Sequence, residues 1–124
     1  MKGITVAGPS EQLQTMKAEF FRALAHPIRI RLLELMVTTP ETSVQELQRT
    51  LGIDQPIVSQ QLAKLRASGI VVSTGSGAST RYAVGSPLMK ELLSAAKQIL
   101  NGRLAHARAL HRELAQDRAI RPRR

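Results

Sequence analysis

Gln55, Ser59, Gln60 and Lys64 fall within one short stretch and together carry the donors and acceptors of a DNA-reading surface. A glutamine amide pairs bidentately with adenine, a serine hydroxyl bonds to a base or a phosphate, and a lysine neutralises phosphate. Val58, Leu62 and Leu65 recur among them at i, i+4 and i+7 and make a single apolar stripe. The four polar side chains are then left on the other faces of the same helix. The chemistry on offer is recognition and not catalysis. No Gly-rich phosphate loop, no paired acids in an apolar setting and no Ser/His/Asp grouping stands out, and Ser59 lies among glutamines without a base nearby.

The segment that must position these residues runs from Ser43 to Val71. Ser43 reads as an N-cap with Glu46 three residues on, a capping box that satisfies amide donors at a helix start. That helix continues through Leu47 to Leu51 and stops at Gly52, a residue suited to the left-handed conformation. Asp54 is placed to cap a second helix, with Pro56 in its first turn where no amide donor is needed. Two short helices with a tight turn are the layout of a helix-turn-helix, whose second helix enters the major groove. The same pattern also serves as a plain structural hairpin, so spacing alone leaves both readings open.

Charge favours nucleic acid. The 124 residues hold 18 Lys and Arg against 9 Asp and Glu, a net charge of +9, which is the electrostatic footprint of a nucleic-acid binder. More than half of the excess lies after residue 102. There Arg103, Arg108, Arg112, Arg118, Arg121, Arg123 and Arg124 face only Glu113 and Asp117. The terminal RAIRPRR reads as a disordered basic tail that either touches phosphates non-specifically or keeps the chain in solution.

Length fits one domain of about 100 residues. There is no Cys, so disulfides, thiolate metal sites and thiol switches are excluded for this chain. No apolar run suits a signal peptide or a membrane span, so a soluble, cytoplasmic protein with no membrane partner is expected. Phe20, Phe21 and Tyr82 are too few aromatics for a single-strand stacking platform.

Along the chain, residues 1–9 read as a flexible N-terminus, 10–117 as one domain ending in a long helix, and 118–124 as the basic tail. A helical pattern from Ser10 carries Leu13, Met16, Phe20, Phe21 and Leu24 and ends before His26-Pro27, because the residue before proline leaves the helical region. Pro27 starts a second helix with an inward stripe of Ile28, Leu32, Leu35 and Met36, and residues 38–42 form a loop. After Gly69 the period changes to 2, and IVVST and TRYAV, joined by a Gly/Ser turn, read as a β-hairpin. A last helix carries Leu88, Leu92, Ala96, Ile99, Leu100, Leu104, Leu110 and Leu114. The expected fold class is mainly α with a small β-hairpin wing, a winged helix-turn-helix in the order α-α-α-α-β-β-α. The apolar faces of the first and last helices exceed what so small a domain covers. Leu13, Met16, Phe20, Leu92, Ala96, Ile99 and Leu100 are therefore expected at a homodimer interface.

ALAHPIRIRLLELM (residues 23–36), QPIVSQQLAKLRASGIV (55–71) and RYAV (81–84), in that order, resemble the ArsR/SmtB family of bacterial transcriptional repressors, over roughly residues 16–100. The resemblance implies a dimeric winged helix, paired through its first and last helices, that binds a palindromic double-stranded operator and is released by an effector. It places Ser43, Gln55, Pro56, Ser59, Gln60 and Lys64 at the DNA, with Arg81 of the hairpin approaching the minor groove or phosphates. Two departures stand out. The wing turn TGSGAST has no Lys or Arg, and the family's metal-sensing cysteines are absent. Sensing of thiophilic metals through this chain alone is therefore not expected.

Some relatives bind metal with His and carboxylate ligands on their last helices. Here His106 and Asp117 share a helix face but lie about 16 Å apart along it, so only an antiparallel partner helix could join them. The acid that the family pattern wants two residues before the first His is Leu104. Surface histidines on an Arg-rich helix are the simpler reading, and no cofactor is evident. His26, beside a proline turn, reads as structural. The alternative function is a protein-interaction module or partner-dependent co-regulator built on the same fold. The inducer stays open: a metal ion, a small molecule, a partner protein or none.

Overall fold

Pro9 opens the first helix, where its missing amide costs nothing and its ring fixes a helical φ. The computed structural model describes residues 8–120, with side chains as far as Asp117. The expected flexible N-terminus thus falls mostly outside the described residues, as do the last four residues of the basic tail. Helix α1 (Pro9–Leu24) ends as expected ahead of the His-Pro pair. His26 is extended, at φ −153° and ψ 129°, and its Nδ1 accepts the Ile28 amide at 3.1 Å. That bond makes His26 the N-cap of α2 (Pro27–Met36), a structural role.

Helix α3 (Val44–Leu51) and helix α4 (Gln55–Ala67) follow. Strands β1 (Val71–Thr74) and β2 (Arg81–Val84) then pair antiparallel, with Val71 opposite Val84 and Thr74 opposite Arg81. The turn between them needs glycine. Gly75 sits at φ 80°, and a Cβ there would lie 2.6 Å from the Ser79 carbonyl oxygen. Residues 38–42, expected as plain loop, contribute more than that. Thr42 and Tyr82 exchange amide-to-carbonyl bonds of 2.9 and 2.7 Å, adding a bridge to the open side of β2. The observed order is the winged arrangement expected from the sequence.

The core of the N-terminal unit is built from one face of each short helix. Leu32, Leu33, Leu47, Val58 and Leu65 are fully buried, joined by Met36, Leu62 and Val71 at 1% exposure. The stripe Val58, Leu62, Leu65 read from the helical period is therefore what holds α4 against its neighbours. Leu47→Ala leaves a cavity between these side chains and is expected to cost about 2–5 kcal/mol. The check is a lowered urea midpoint at unchanged m value, while an unchanged midpoint would mean the helices repack freely.

The chain divides after Met89 into two compact units, an N-terminal one and a helical one. The second unit is α5 (Leu88–Ile120) from Lys90 onward. At 33 residues, α5 is about 50 Å long. It stays helical three residues into the segment expected to be tail.

Candidate nucleic-acid interface

A serine and a glycine set the two ends of α3. The Ser43 hydroxyl oxygen accepts the Glu46 amide at 3.2 Å, and Gly52 takes the left-handed conformation at φ 66°. The chain reverses there and re-enters a helix within three residues. Asp54 occupies the N-cap position of α4, but its side chain makes no capping bond, contrary to expectation. Pro56 in the first turn and the Asp54 carbonyl, which accepts the Ile57 and Val58 amides at 3.0 and 3.1 Å, start that helix instead. Ser43, by contrast, caps α3 through its side chain.

Gln55, Pro56, Ser59, Gln60 and Lys64 are all exposed on α4. With about 100° between successive residues, Pro56 and Gln60 point almost opposite the buried stripe, with Ser59 and Lys64 on either flank. Ala63, also exposed, adds no bulk to that face. Amide, hydroxyl and ammonium groups thus project together from a helix anchored by its far side. This is the arrangement a major groove accepts, and the spacing of a single sequence segment predicts it.

In the wing, Arg81 does not stand free. Its Nη1 lies 3.1 Å from Glu46 Oε1, its Nη2 donates to the Glu41 carbonyl oxygen at 3.3 Å, and its Nε lies 3.9 Å from Glu41 Oε2. The Thr42 hydroxyl donates to the other Glu46 oxygen at 3.1 Å. The hairpin register sets Arg81 beside the first turn of α3, so in the free chain it forms an internal ion pair. Its charge ties β2 to that turn. In the wing turn, the Ser79 and Thr80 hydroxyls donate to the carbonyls of Ser76 and Gly77, both at 2.8 Å. With no Lys or Arg in the turn, backbone amides and hydroxyl oxygens are what it can offer DNA.

The Arg81 guanidinium, with the Thr42 hydroxyl, holds the Glu46 carboxyl below the usual glutamate range. A carboxylate lowered by folding stabilises at every pH above its unfolded value and loses that contribution as pH falls through its folded value. Acid should therefore loosen the wing from α3 below about pH 4. Glu46→Gln is expected to flatten the acid limb of a stability-against-pH curve. An identical limb would show that the ion pair carries no linkage.

Three structural side chains, Gln61, Arg29 and Arg31, are given no role by the sequence pattern. Gln61 is only 6% exposed and accepts from Arg29 Nε at 2.8 Å, while Arg29 Nη1 donates to the Ala23 carbonyl oxygen at 2.9 Å. A polar residue three positions after Val58, inside the apolar arc, was the available signal. Arg31 Nη2 donates to the Leu51 carbonyl oxygen at 3.0 Å and so closes the end of α3. Beside that end, Gln45, Gln48, Arg49, Gly52, Ile53 and Asp54 line an open cleft of about 490 Å3.

The residues expected at a dimer interface lie on α1 and α5. Leu13, Met16 and Phe20 are exposed on α1, as are Ala96, Ile99 and Leu100 on α5, while Leu92 is half-buried. His106 and Asp117 are exposed on α5, and among the described residues no three His, Asp or Glu gather where they could hold a metal ion. Among the described residues, no helix is long and apolar enough to cross a membrane.

A model of bacterial regulatory proteins of the arsR family matches residues 26–73, which span α2 to β1. The HTH-type transcriptional regulator Rv0081 of Mycobacterium tuberculosis (strain ATCC 25618 / H37Rv) is 41% identical over 91 residues, 73% of this chain and 80% of the relative. The chain belongs to the ArsR family. Like its family, this ArsR protein is a DNA-binding transcriptional regulator and not an enzyme. The crystal structure of Rv0081 superposes with a TM-score of 0.68 at 39% identity, covering 82% of this chain and 98% of that one. The transcriptional repressor BigR from Xylella fastidiosa gives 0.61 at 33% identity, over 76% of this chain and 92% of that one. The HTH-type transcriptional repressor SmtB of M. tuberculosis is 37% identical over 76 residues, 61% of this chain and 56% of the relative. Repression is the activity that these similarities support for this ArsR protein.

Proposed function

We propose that two copies of this chain pair through α1 and α5 and set their two α4 helices on the halves of a palindromic operator, repressing the adjoining gene. The observation that carries this reading is the polar, exposed face of α4 standing opposite a fully buried stripe. Gln55, Ser59 and Gln60 read base edges or bond phosphates, and Lys64 neutralises phosphate at the far end. Pairing is supported by the exposure of Met16 at 64% and Ile99 at 66%, apolar groups that a second copy would cover. A two-fold pair reads half-sites about one helical turn apart.

Release by an effector is part of the same proposal, but the thiol route is closed because the chain has no Cys. A site using His106 and Asp117 would need donors from both copies, since one chain groups no three ligands among its described residues. Sedimentation of the full chain with and without duplex, together with a protection footprint, tests the proposal. Two protected half-sites per dimer are expected. A monomer protecting one unbroken site would overturn the paired reading.

A further inference from the structure

The arginine fork that joins three helices has a consequence for how this regulator tells one DNA sequence from another. Ala23 belongs to the last turn of α1, where carbonyls lack an intrahelical partner, and Arg29 Nη1 satisfies that carbonyl at 2.9 Å. The Nε of the same planar guanidinium donates to Gln61 Oε1 at 2.8 Å. Gln61 is the residue after Gln60 on α4 and is 6% exposed, beside Val58, Leu62 and Leu65, which are buried to 1% or less. Packing by leucine and valine fixes how far α4 lies from its neighbours. It constrains rotation about the helix axis poorly, because apolar contact is not directional. A hydrogen bond to a rigid two-pronged donor is directional.

We propose that the Arg29–Gln61 bridge is the positioning device that sets the rotation of α4, and through it the aim of Gln60 and Ser59 at the base edges. It rests on the placement of α4 in the groove proposed above. A rotation of about 20° at the outer radius of a helix moves a side-chain tip by about 2 Å. That displacement is enough to break a bidentate base contact while leaving phosphate attraction almost unchanged. The bridge therefore governs discrimination between sequences more than overall affinity. Because it ends on α1, it also links the helix proposed for pairing to the helix that reads.

The experiment uses the full-length chain and two duplexes. One is enriched from a random-sequence pool by the wild-type protein, and the other is a scrambled duplex of the same composition. Gln61→Met keeps the shape and removes the acceptor, Arg29→Met breaks the bridge from its other end, and Gln61→Glu restores an acceptor for Arg29. Both methionine variants are expected to lose roughly tenfold or more of the enriched-to-scrambled affinity ratio, with the salt slope on scrambled duplex unchanged. Gln61→Glu is expected to hold the ratio within about threefold of wild type, below the loss of a single good base contact. Should Gln61→Met fail to fold, Arg29→Met carries the comparison with Gln61 intact. The inference is overturned if the methionine variants bind both duplexes more weakly in proportion, as a purely structural loss would. It is also overturned if the glutamate variant fails to restore the ratio. No enrichment by the wild-type protein overturns the operator reading and the inference together, whereas enrichment followed by unchanged ratios overturns the inference alone.

Discussion

Ser59→Ala combined with Gln60→Ala is expected to lower affinity for the operator by about a hundredfold, with little change on scrambled DNA. A good bidentate base contact is worth about 1–3 kcal/mol of discrimination, and a serine contact adds less. Both side chains are exposed on α4 and neither makes a hydrogen bond within the described residues. Their removal therefore takes nothing from the fold, and alanine favours the helix that presents them. Titration of enriched and scrambled duplexes with the variant gives the answer directly. Unchanged operator affinity would mean that α4 is not the reading helix. Lys64→Gln is the useful contrast, since a lost phosphate contact weakens all duplexes alike and lowers the salt slope by about one.

Met16→Glu together with Ile99→Glu is expected to give a folded monomer whose operator affinity is about a thousandfold weaker. Both residues are already about two-thirds exposed, so the charges add no burial cost to a single chain. A charge buried at a pairing surface is costly, and the dimer is what suffers. Joining two reading heads raises avidity by about 10²–10⁴, and a monomer forfeits that gain. Sedimentation reads the first effect and DNA titration the second. A dimer that survives both charges would exclude α1 and α5 as the pairing elements. The far-UV circular dichroism spectrum of the variant should match wild type, which separates loss of pairing from loss of fold.

These two tests draw on different amounts of legible sequence. Ser59 and Gln60 were readable because their neighbours at helical spacing are apolar and local, and the wing was readable because strand alternation and glycine turns are local too. His26 was seen as structural from its proline, though the Nδ1 bond that makes it a cap requires coordinates. The ion pair of Arg81 was not legible, because its partner Glu46 lies 35 residues away and only the pairing of β2 brings them together. Asp54 is a capping residue by type, but in this turn Pro56 and backbone bonds start the helix without its side chain.

What the sequence by itself determined has short period: which segments are the main helices and strands, where Ser43 and Gly52 bound α3, which face of α4 is apolar, and that no thiol is available. Those properties follow from bonds and contacts within a few residues, which periodicity and residue type encode directly. The tertiary structure alone decided the internal uses of charge and polarity, with Arg81 held by Glu46 and Glu41 and Gln61 held by Arg29. These depend on elements more than thirty residues apart meeting at hydrogen-bond distance. A guanidinium bonds to whichever acceptor the fold brings closest, and no local pattern names that acceptor in advance.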